Sequence, residues 1–469
     1  FAARFGARIA VLHSALGDGE RFDEWHRIRT GEAAVVIGPR SAVFAPVRRL
    51  GLIVVDEEHE PSYKQDETPR YNARDAAVMR GWIEGCAVVL GSATPALESW
   101  LNVEKGKYTM ARLACRVAGR PMPRVHIVDM RVETAKTGHV QIFSGDLLEA
   151  LKLRLERGEQ SILFLNRRGY ATSLVCPKCG TVAECPSCSV AYTYHQTDAC
   201  LRCHVCGGWR PVPDACPGCG DPAFKYSGFG TQRAEIALQK CFPQARLLRM
   251  DADVTARKHS HDELLAIFKS GRADILLGTQ MIAKGLDFPN VTLVGVLMAD
   301  ASLHMPDFRA PERTYQLLAQ VSGRAGRAEL PGEVFIQTYS PEHFAVRAAA
   351  SDGGFEPFAK RELAERKAGG YPPYTRLACL TFKGPSENRV KFAAETFERD
   401  YRASAGEAVT VSETCPAPLA KAKDLYRYQL ILRAATAAAL TRTLRALLAH
   451  PPLPSDVTLA IDIDALSIL

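Results

Sequence analysis

The chain has 469 residues, enough for about three domains that each bury a core of their own. Its 47% hydrophobic and 24% charged residues exclude a disordered or collagen-like chain. The formal net charge of +7 permits a polyanionic partner but does not require one. No apolar run reaches the roughly 18 residues that a membrane-spanning helix needs, so the sequence predicts a soluble protein without a membrane partner.

Short apolar runs alternate with helical or loop stretches over residues 1–110. Continuous runs rich in Val, Ile and Leu are typical of strands buried on both faces of a parallel sheet. We therefore predict the remainder of an α/β lobe that has lost its beginning, because Phe1 stands in the apparent middle of an amphipathic helix. The runs are ARIAVLHS, EAAVVIGPRS, LGLIVVDEEH and GCAVVLGSATP.

A second α/β lobe is predicted over residues 111–345, where further runs of this kind follow. These runs are QSILFLNRRGY, ARLLRMDAD, ADILLGTQ, VTLVGVLMAD and GEVFIQTYS. Residues 174–222 interrupt the lobe and are rich in Cys, Pro and Gly, so we expect a small metal-held insertion. Residues 346–469 predict a linker and a C-terminal α+β domain, whose order βαββαβ is that of a ferredoxin-like split unit.

Two carboxylates and a histidine, Asp56, Glu57 and His59, follow the apolar run LGLIVV almost directly. In open α/β sheets ligands bind at the carboxyl ends of the strands. One carboxylate there can hold a hydrated magnesium ion together with substrate phosphates, and its neighbour can orient a water for attack on phosphorus. The alternative is an acidic surface turn, because short motifs also occur by chance.

Three further motifs follow in a fixed order along the chain. The residues singled out are Gly91, Ser92, Ala93 and Thr94 in GSAT, Gly285 and Asp287 in GTQMIAKGLDFPNV, and Gln320, Gly323, Arg324 and Arg327 in QVSGRAGR. The two arginines are three residues apart, so on a helix that begins there they share a face and reach one anionic site. The alternative for each arginine alone is a solvated surface group.

Aromatic and basic residues are interleaved in the segment EPSYKQDETPRYNARD, residues 60–75. Aromatic faces stack on unpaired bases while cations meet phosphates, which is typical of single-strand binding. A polar surface loop is the alternative. The candidate DNA-binding residues are Tyr63, Lys64, Arg70, Tyr71 and Arg74, with Arg167 and Arg168 from LFLNRRGY.

Four C-x-x-C pairs in the insertion supply enough thiolates for two tetrahedral zinc sites. The second and third pairs have zinc-ribbon spacing, which leaves the first and fourth to pair outside them. The predicted sites are Cys176, Cys179, Cys216 and Cys219 for one zinc, and Cys185, Cys188, Cys203 and Cys206 for the other. Cys200 is interpreted as a spare thiol or small core residue. Disulfides are the alternative, but nothing marks the chain for secretion.

The motif order DEEH, GSAT, LFLNRRGY, GTQMIAKG and QVSGRAGR resembles motifs II to VI of superfamily 2 DNA helicases. With the cysteine insertion and the C-terminal unit, the chain is most similar to the primosomal N′ family of bacterial replication restart helicases. The resemblance implies two RecA-like lobes that clamp magnesium-bound ATP and move 3′ to 5′ along single-stranded DNA in the cytoplasm. It implies as partners forked and single-stranded DNA, other primosome proteins and single-strand DNA-binding protein.

The same resemblance implies a role for each motif residue. The catalytic residues that it implies are Asp56, Glu57, His59, Arg324 and Arg327. The residues that bind ATP or couple it to DNA are Gly91, Ser92, Ala93, Thr94, Gly285, Asp287, Gln320 and Gly323.

One motif of the family is missing from these 469 residues, the loop GxxxxGK[ST] that cradles the phosphates. We therefore expect a fragment that is inactive alone, from a parent protein that is an ATP-dependent helicase. The competing hypothesis is a non-motor DNA- or protein-binding scaffold that keeps the helicase fold. A third, a rubredoxin-like redox protein, requires iron in the cysteine sites.

Overall fold

The protein is described here by a computed structural model. The described residues are 2–13, 16–113, 122–165, 174–176, 178–186, 191–195, 200–203, 207–222, 231–251, 260–279, 282, 288–326, 332–351, 353–449 and 453–468. The chain divides into two compact units, Phe1–Tyr108 and Thr109–Leu469. Within the described ranges, no helix has both the length and the apolar character needed to cross a membrane.

The first unit contains two pairs of parallel strands, and each predicted apolar run supplies one strand. The strands are β1 (Ile9–Val11) paired with β2 (Val35–Ile37), and β3 (Leu52–Val55) paired with β4 (Ala87–Leu90). The α-helices are α1 (Ala2–Phe5), α2 (Asp18–Thr30), α3 (Ala73–Glu84) and α4 (Leu97–Glu104), with 3₁₀ turns at Gly6–Arg8, Arg40–Phe44 and Pro61–Tyr63.

The expectation that these strands are buried on both faces is wrong for β3 and β4. One face packs against α3, but Leu52, Val54 and Val89 on the other face are 49–61% exposed. Among the described residues no element covers these side chains, so one apolar face of the β3–β4 pair is exposed to solvent in this structure. The carboxyl ends of β3 and β4 nevertheless lie side by side, which is what positions the motifs that follow them.

The second unit begins with a six-stranded parallel sheet in the order β10-β11-β6-β12-β13-β5. Its strands are β5 (Arg124–Asp129), β6 (Gln160–Phe164), β10 (Leu247–Met250), β11 (Ile275–Gly278), β12 (Val291–Val296) and β13 (Glu333–Thr338). The helices are α5 (Met130–Thr137), α6 (Gly145–Glu156), α7 (Thr231–Cys241), α8 (Ser260–Lys269), α9 (Asp300–Leu303), α10 (Ala310–Ser322), α11 (Phe344–Ala350) and α12 (Phe355–Ala368). The five predicted runs are confirmed as strands, whereas β5 was not predicted, because it is a half-exposed edge strand.

The cysteine-rich insertion lies between β6 and α7, as the sequence predicts. Its described part contains a three-stranded antiparallel sheet of β7 (Thr193–His195), β8 (Cys200–Arg202) and β9 (Trp209–Pro211). Strands this short bury little apolar surface by themselves, so a module of this size needs further stabilisation, such as a bound metal or packing against a neighbouring domain.

The C-terminal part is an antiparallel sheet in the order β15-β17-β14-β18, with β16 also paired to β17. Its elements are β14 (Arg376–Gly384), α13 (Glu387–Ala405), β15 (Val409–Val411), β16 (Cys415–Ala422), β17 (Leu425–Ala434), α14 (Ala437–Leu448) and β18 (Thr458–Ile463). The split order is the one expected for βαββαβ. The sequence did not predict β16, since Pro416 and Pro418 lie within it and proline is tolerated only in edge strands or at bulges.

Candidate nucleotide site and cysteine centre

The pairing of β3 with β4 brings the DEEH and GSAT motifs together. Gly91 N–H donates to the Val55 carbonyl (2.8 Å), and Glu58 N–H donates to the Gly91 carbonyl (3.0 Å). Asp56 and Glu57 are exposed at this edge, and Asp56 Oδ1 accepts from Glu57 N–H at 3.0 Å. Two solvated carboxylates at the ends of parallel strands fit a hydrated magnesium ion bound mainly through substrate phosphates.

His59 connects the two motifs directly. Its Nδ1 lies 2.7 Å from Ser92 Oγ, and that oxygen accepts a hydrogen bond from Thr94 N–H at 2.9 Å. Glu57 Oε2 lies 3.7 Å from the same Nδ1. The His59 side chain is only 3% exposed while that of Glu57 is 48% exposed, so a buried imidazole links an accessible carboxylate to the GSAT turn.

Glu58, which the sequence analysis passed over, is the buried anchor of the motif. Its carboxylate accepts hydrogen bonds from Ala96 N–H (2.7 Å) and Ser99 Oγ (2.9 Å), and it pairs with Arg74 (3.4 Å). Burial raises the pKa of Glu58 above its usual range, while Arg74 and the bonds from Ala96 and Ser99 oppose that shift. The only sequence signal was a second glutamate in DEEH, which does not show that its side chain turns inward.

The segment after DEEH is a structured loop that contacts the DEEH motif. Tyr63 OH donates to the Asp56 carbonyl at 2.7 Å. Arg40, from the first 3₁₀ turn after β2, donates to the carbonyls of Ser62 (3.1 Å) and Lys64 (3.0 Å). The sequence analysis did not single out Arg40. A change in this loop therefore reaches Asp56 through a hydrogen bond.

Two of the predicted DNA contacts are buried instead. Lys64 is 6% exposed and its Nζ donates to the Arg70 carbonyl (3.0 Å), while Arg74 is 7% exposed and pairs with Glu58 and Asp75. Both cations stabilise the loop and its junction with α3, so in this structure they are not presented to a phosphate backbone. Lys64 and Arg74 can be buried because the Arg70 carbonyl and the Glu58 and Asp75 carboxylates pair with them, and the composition of the segment does not identify these partners.

Tyr63, Arg70 and Tyr71 remain partly accessible in the same loop. The Tyr71 ring packs edge to face against Phe44 with the ring centroids 4.9 Å apart, and Arg70 Nε donates to the Asp66 carbonyl at 2.6 Å. The contact with Phe44 restricts the Tyr71 ring, so stacking of a base on it would cost less side-chain entropy.

Helix α10 contains the first residues of the QVSGRAGR motif and ends before Arg324. Helix α10 ends at Ser322, and the N–H of Gly323 caps it by donating to the carbonyls of Ala319 and Val321. Gln320 therefore lies in the last turn and Arg324 lies beyond the helix. The common helical face expected for Arg324 and Arg327 stays a prediction, because Arg327 lies outside the described residues. The predicted residues Gly285, Asp287, Arg327, Arg167, Arg168, Cys188 and Cys206 lie outside the described residues.

The outer pair of C-x-x-C segments forms a candidate metal centre. The sulfurs of Cys176, Cys179, Cys216 and Cys219 all lie within 4.8 Å of one another. Cys176 Sγ is 3.6 Å from Cys219 Sγ, and Cys179 Sγ is 3.5 Å from Cys216 Sγ. A tetrahedral zinc with Zn–S bonds of about 2.3 Å separates its sulfurs by about 3.8 Å, so the four thiols fit zinc. The pairing of the first and fourth segments is the predicted one.

The inner pair is described only in part. Cys185 and Cys203 are 2% and 0% exposed and belong to one apolar cluster with Tyr192. Cys200 is buried on β8 and is not part of the outer centre, in agreement with its interpretation as a small core residue. The structure thus brings one cysteine from each inner segment into the same core.

Comparison with known proteins matches three regions of the chain to family models. Residues 367–466 match the Primosomal protein N C-terminal domain, 230–329 the Helicase conserved C-terminal domain, and 185–211 the PriA DNA helicase Cys-rich region domain. Replication restart protein PriA of Treponema pallidum is 40% identical over 99% of this chain and 70% of its own length. The chain belongs to the PriA family. The resemblance seen in the motif order is confirmed.

Other PriA relatives show how much of the family protein is present. PriA of Rickettsia felis is 36% identical over 99% of this chain and 71% of its own length. PriA of Bacillus subtilis is 48% identical over 96% of this chain but only 56% of its own length. The chain spans about three-fifths of the length of several curated PriA relatives that it matches.

Proposed function

We propose that this chain carries the motor lobes of an ATP-dependent, 3′ to 5′ DNA helicase that restarts stalled replication forks by starting primosome assembly. Two hydrogen bonds carry the proposal. Tyr63, in the loop of residues 60–75, donates to the Asp56 carbonyl, and His59 of DEEH is hydrogen-bonded to Ser92 of GSAT. A motor needs such a connection between its DNA-binding and ATP-binding residues. Membership of the family of replication restart proteins supports the biological role.

In the proposed mechanism the exposed carboxylates act on nucleotide. Asp56 holds the magnesium ion, which neutralises charge on the transferring phosphoryl group when bound. Glu57 orients the attacking water and accepts its proton. His59, which is hydrogen-bonded to Ser92, transmits the binding of nucleotide at the end of β3 to the GSAT turn. The catalytic set is completed by Arg324 and Arg327, whose planar guanidinium groups suit phosphate oxygens.

The remaining motif residues are assigned to binding and coupling. Tyr63, Arg70 and Tyr71 contact single-stranded DNA, and Arg167 and Arg168 extend this track. Gly91 to Thr94, Gly285, Asp287, Gln320 and Gly323 bind ATP or couple it to DNA. We further propose two zinc ions on the eight cysteines, a cytoplasmic location, and other primosome proteins and single-strand DNA-binding protein as partners.

A strand-displacement assay tests the helicase proposal. The 469 residues are joined to a segment that supplies the GxxxxGK[ST] loop, and partial duplexes with either a 3′ or a 5′ single-stranded tail are offered with ATP. We expect unwinding only of substrates on which the enzyme can move 3′ to 5′ along the tail. ATP-independent DNA binding without unwinding would favour the scaffold hypothesis instead.

The 469-residue chain by itself is expected not to hydrolyse ATP at a helicase rate. Without backbone amides that cradle the phosphates, Asp56 and Glu57 have no anchored substrate. Steady-state phosphate release with and without single-stranded DNA measures this. DNA-stimulated turnover by the chain alone would contradict the prediction.

Arg327→Ala, in a polypeptide that includes the phosphate-binding loop, is expected to lower ATP turnover about a thousandfold or more, with smaller losses of ATP and DNA affinity. Transition-state charge exceeds what ground-state binding neutralises, so an arginine that meets it acts mainly on rate. Lysine is expected not to restore the rate, since it lacks the bidentate fork. Arg324→Ala, measured in parallel, shows whether the loss of ATP turnover is specific to Arg327. Equal losses of affinity and rate would make Arg327 a binding residue.

A further inference from the structure

One apolar cluster in the second unit is assembled from three regions that are distant in sequence. The cysteine insertion supplies Cys176, Cys185, Cys203 and Cys216 among other residues. The C-terminal sheet supplies Leu377, Cys379 and Ile431, and the segment before α10 supplies Phe308. The insertion is therefore a shared core element and not a separate appendage of the helicase lobe.

The first cysteine segment lies directly against the helicase lobe. Gly180, which follows Cys179, has φ +78°, and a methyl group on its Cα would lie 2.3 Å from the Tyr339 carbonyl oxygen at the end of β13. Arg131, at the start of α5, donates from Nη1 to the Cys179 carbonyl at 3.2 Å. Arg131 is itself held by a bidentate pair with Asp129 at the end of β5. The first segment thus meets the ends of two neighbouring strands of the lobe.

The third cysteine segment lies against the C-terminal domain. Gly207, which follows the last cysteine of that segment, has φ +86°. A methyl group there would lie 3.0 Å from Glu413 Cβ, in the connection between β15 and β16. The outer and inner cysteine sites therefore each present one glycine to a different neighbour.

Beside this cluster, buried charges fix the C-terminal region to α10. Arg366 of α12 is 2% exposed and donates to Glu312 of α10 at 2.7 Å and to Glu362 at 2.8 Å. The rings of Phe308 and Tyr371 stack in parallel, 4.7 Å apart. Because a buried charge that loses its partner is strongly destabilising, this contact has little freedom to rearrange. Helix α10 carries Gln320 of the QVSGRAGR motif at its end.

We propose that the cysteine insertion forms a two-sided joint, in which the outer cysteine site docks on the helicase lobe at Gly180 and the turn at Gly207 docks on the C-terminal domain. The glycine after the cysteine pair is the contact point on each side. A metal on the four outer thiols would hold the first cysteine segment in the curled backbone that presents Gly180 to the lobe. This docking role does not depend on the proposed helicase activity.

The outer site offers a matched pair of variants. Gly180 and Gly220 follow the second cysteine of the two outer segments and have similar φ values of +78° and +71°. Gly180 faces the lobe, whereas among the described residues no atom lies within 4 Å of a methyl group placed on Gly220. Alanine therefore brings similar backbone strain to both positions but a steric clash with the lobe only to Gly180.

Hydrogen–deuterium exchange of the full chain, with zinc content measured in parallel, tests the joint. We expect Gly180→Ala and Gly220→Ala to retain the same zinc content, because the backbone strain of one alanine at positive φ is small beside the free energy of zinc binding. Amides of residues 335–343 should exchange about tenfold faster in Gly180→Ala than in Gly220→Ala. Equal exchange in the two variants would overturn the docking of the outer site.

The turn at Gly207 has its own variant. Gly207→Ala is expected to speed exchange at residues 412–418 by about tenfold while residues 335–343 keep the exchange of the unmodified chain. Unchanged exchange at 412–418 would overturn the docking of this turn.

A variant without backbone strain covers the case in which Gly180→Ala does not fold. Arg131→Ala removes the hydrogen bond to the Cys179 carbonyl and should speed exchange of the 176–180 amides with zinc retained. Exchange at the rate of the unmodified chain would likewise count against the joint.

Discussion

Glu57→Gln is expected to lower ATP hydrolysis about a hundred- to ten-thousandfold with little change in nucleotide or DNA affinity. The amide preserves the size of the side chain but cannot accept the proton of the attacking water. Because Glu57 is 48% exposed at the end of β3, the substitution should not disturb the buried network of Glu58 and Arg74. Phosphate release and nucleotide binding, measured on a polypeptide that includes the phosphate-binding loop, give the two quantities.

Glu67→Gln is the matched control for this substitution. Glu67 is an exposed carboxylate ten residues further along the chain, and its replacement makes the same change of charge without touching the strand edge. We expect turnover near that of the unmodified protein. If Glu57→Gln weakened ATP binding as much as it slowed turnover, Glu57 would be a binding residue and the assignment of water activation would fail.

Cys176→Ser is expected to remove one of two zinc ions and to loosen the backbone around the outer cysteine site while the inner zinc is retained. Structural zinc contributes about 10–16 kcal/mol in small zinc modules at neutral pH, far more than the short strands β7 to β9 can replace. Cys176 is fully buried among the four outer sulfurs, so a serine there cannot be compensated by solvent. Elemental analysis of zinc per chain, with circular dichroism, measures both effects.

Two further variants decide how the cysteines are paired. Cys185→Ser should remove the other zinc and leave the outer site filled. Cys241→Ser should change neither, because Cys241 is exposed and lies outside the centre. Simultaneous loss of both ions in Cys176→Ser, or loss of neither, would contradict the nested pairing.

The sequence alone was sufficient wherever the signal is local. Runs such as QSILF and VTLVGV are predominantly apolar, and both became fully buried central strands of a parallel sheet. The four C-x-x-C pairs carry their ligand chemistry in their spacing, and the nested pairing of the outer two follows from it. The motif order was enough to place the chain in its family, since it joins several independent local patterns.

Only the tertiary structure decided which polar side chains are buried and where exposed edges lie. Lys64, Arg74 and Glu58 have charged side chains that composition assigns to the surface, yet all three are buried. Lys64 donates to the Arg70 carbonyl, and Glu58 pairs with Arg74 and accepts from Ala96 N–H. Strands β5 and β16 escaped notice because an edge strand is paired on one side only, and its sequence need not be apolar. The contacts of Gly180 and Gly207 depend on Tyr339 and Glu413, more than 150 residues away in each case. A pattern within one segment records the conformation of that segment, whereas burial and docking are set by the partner that packs against it.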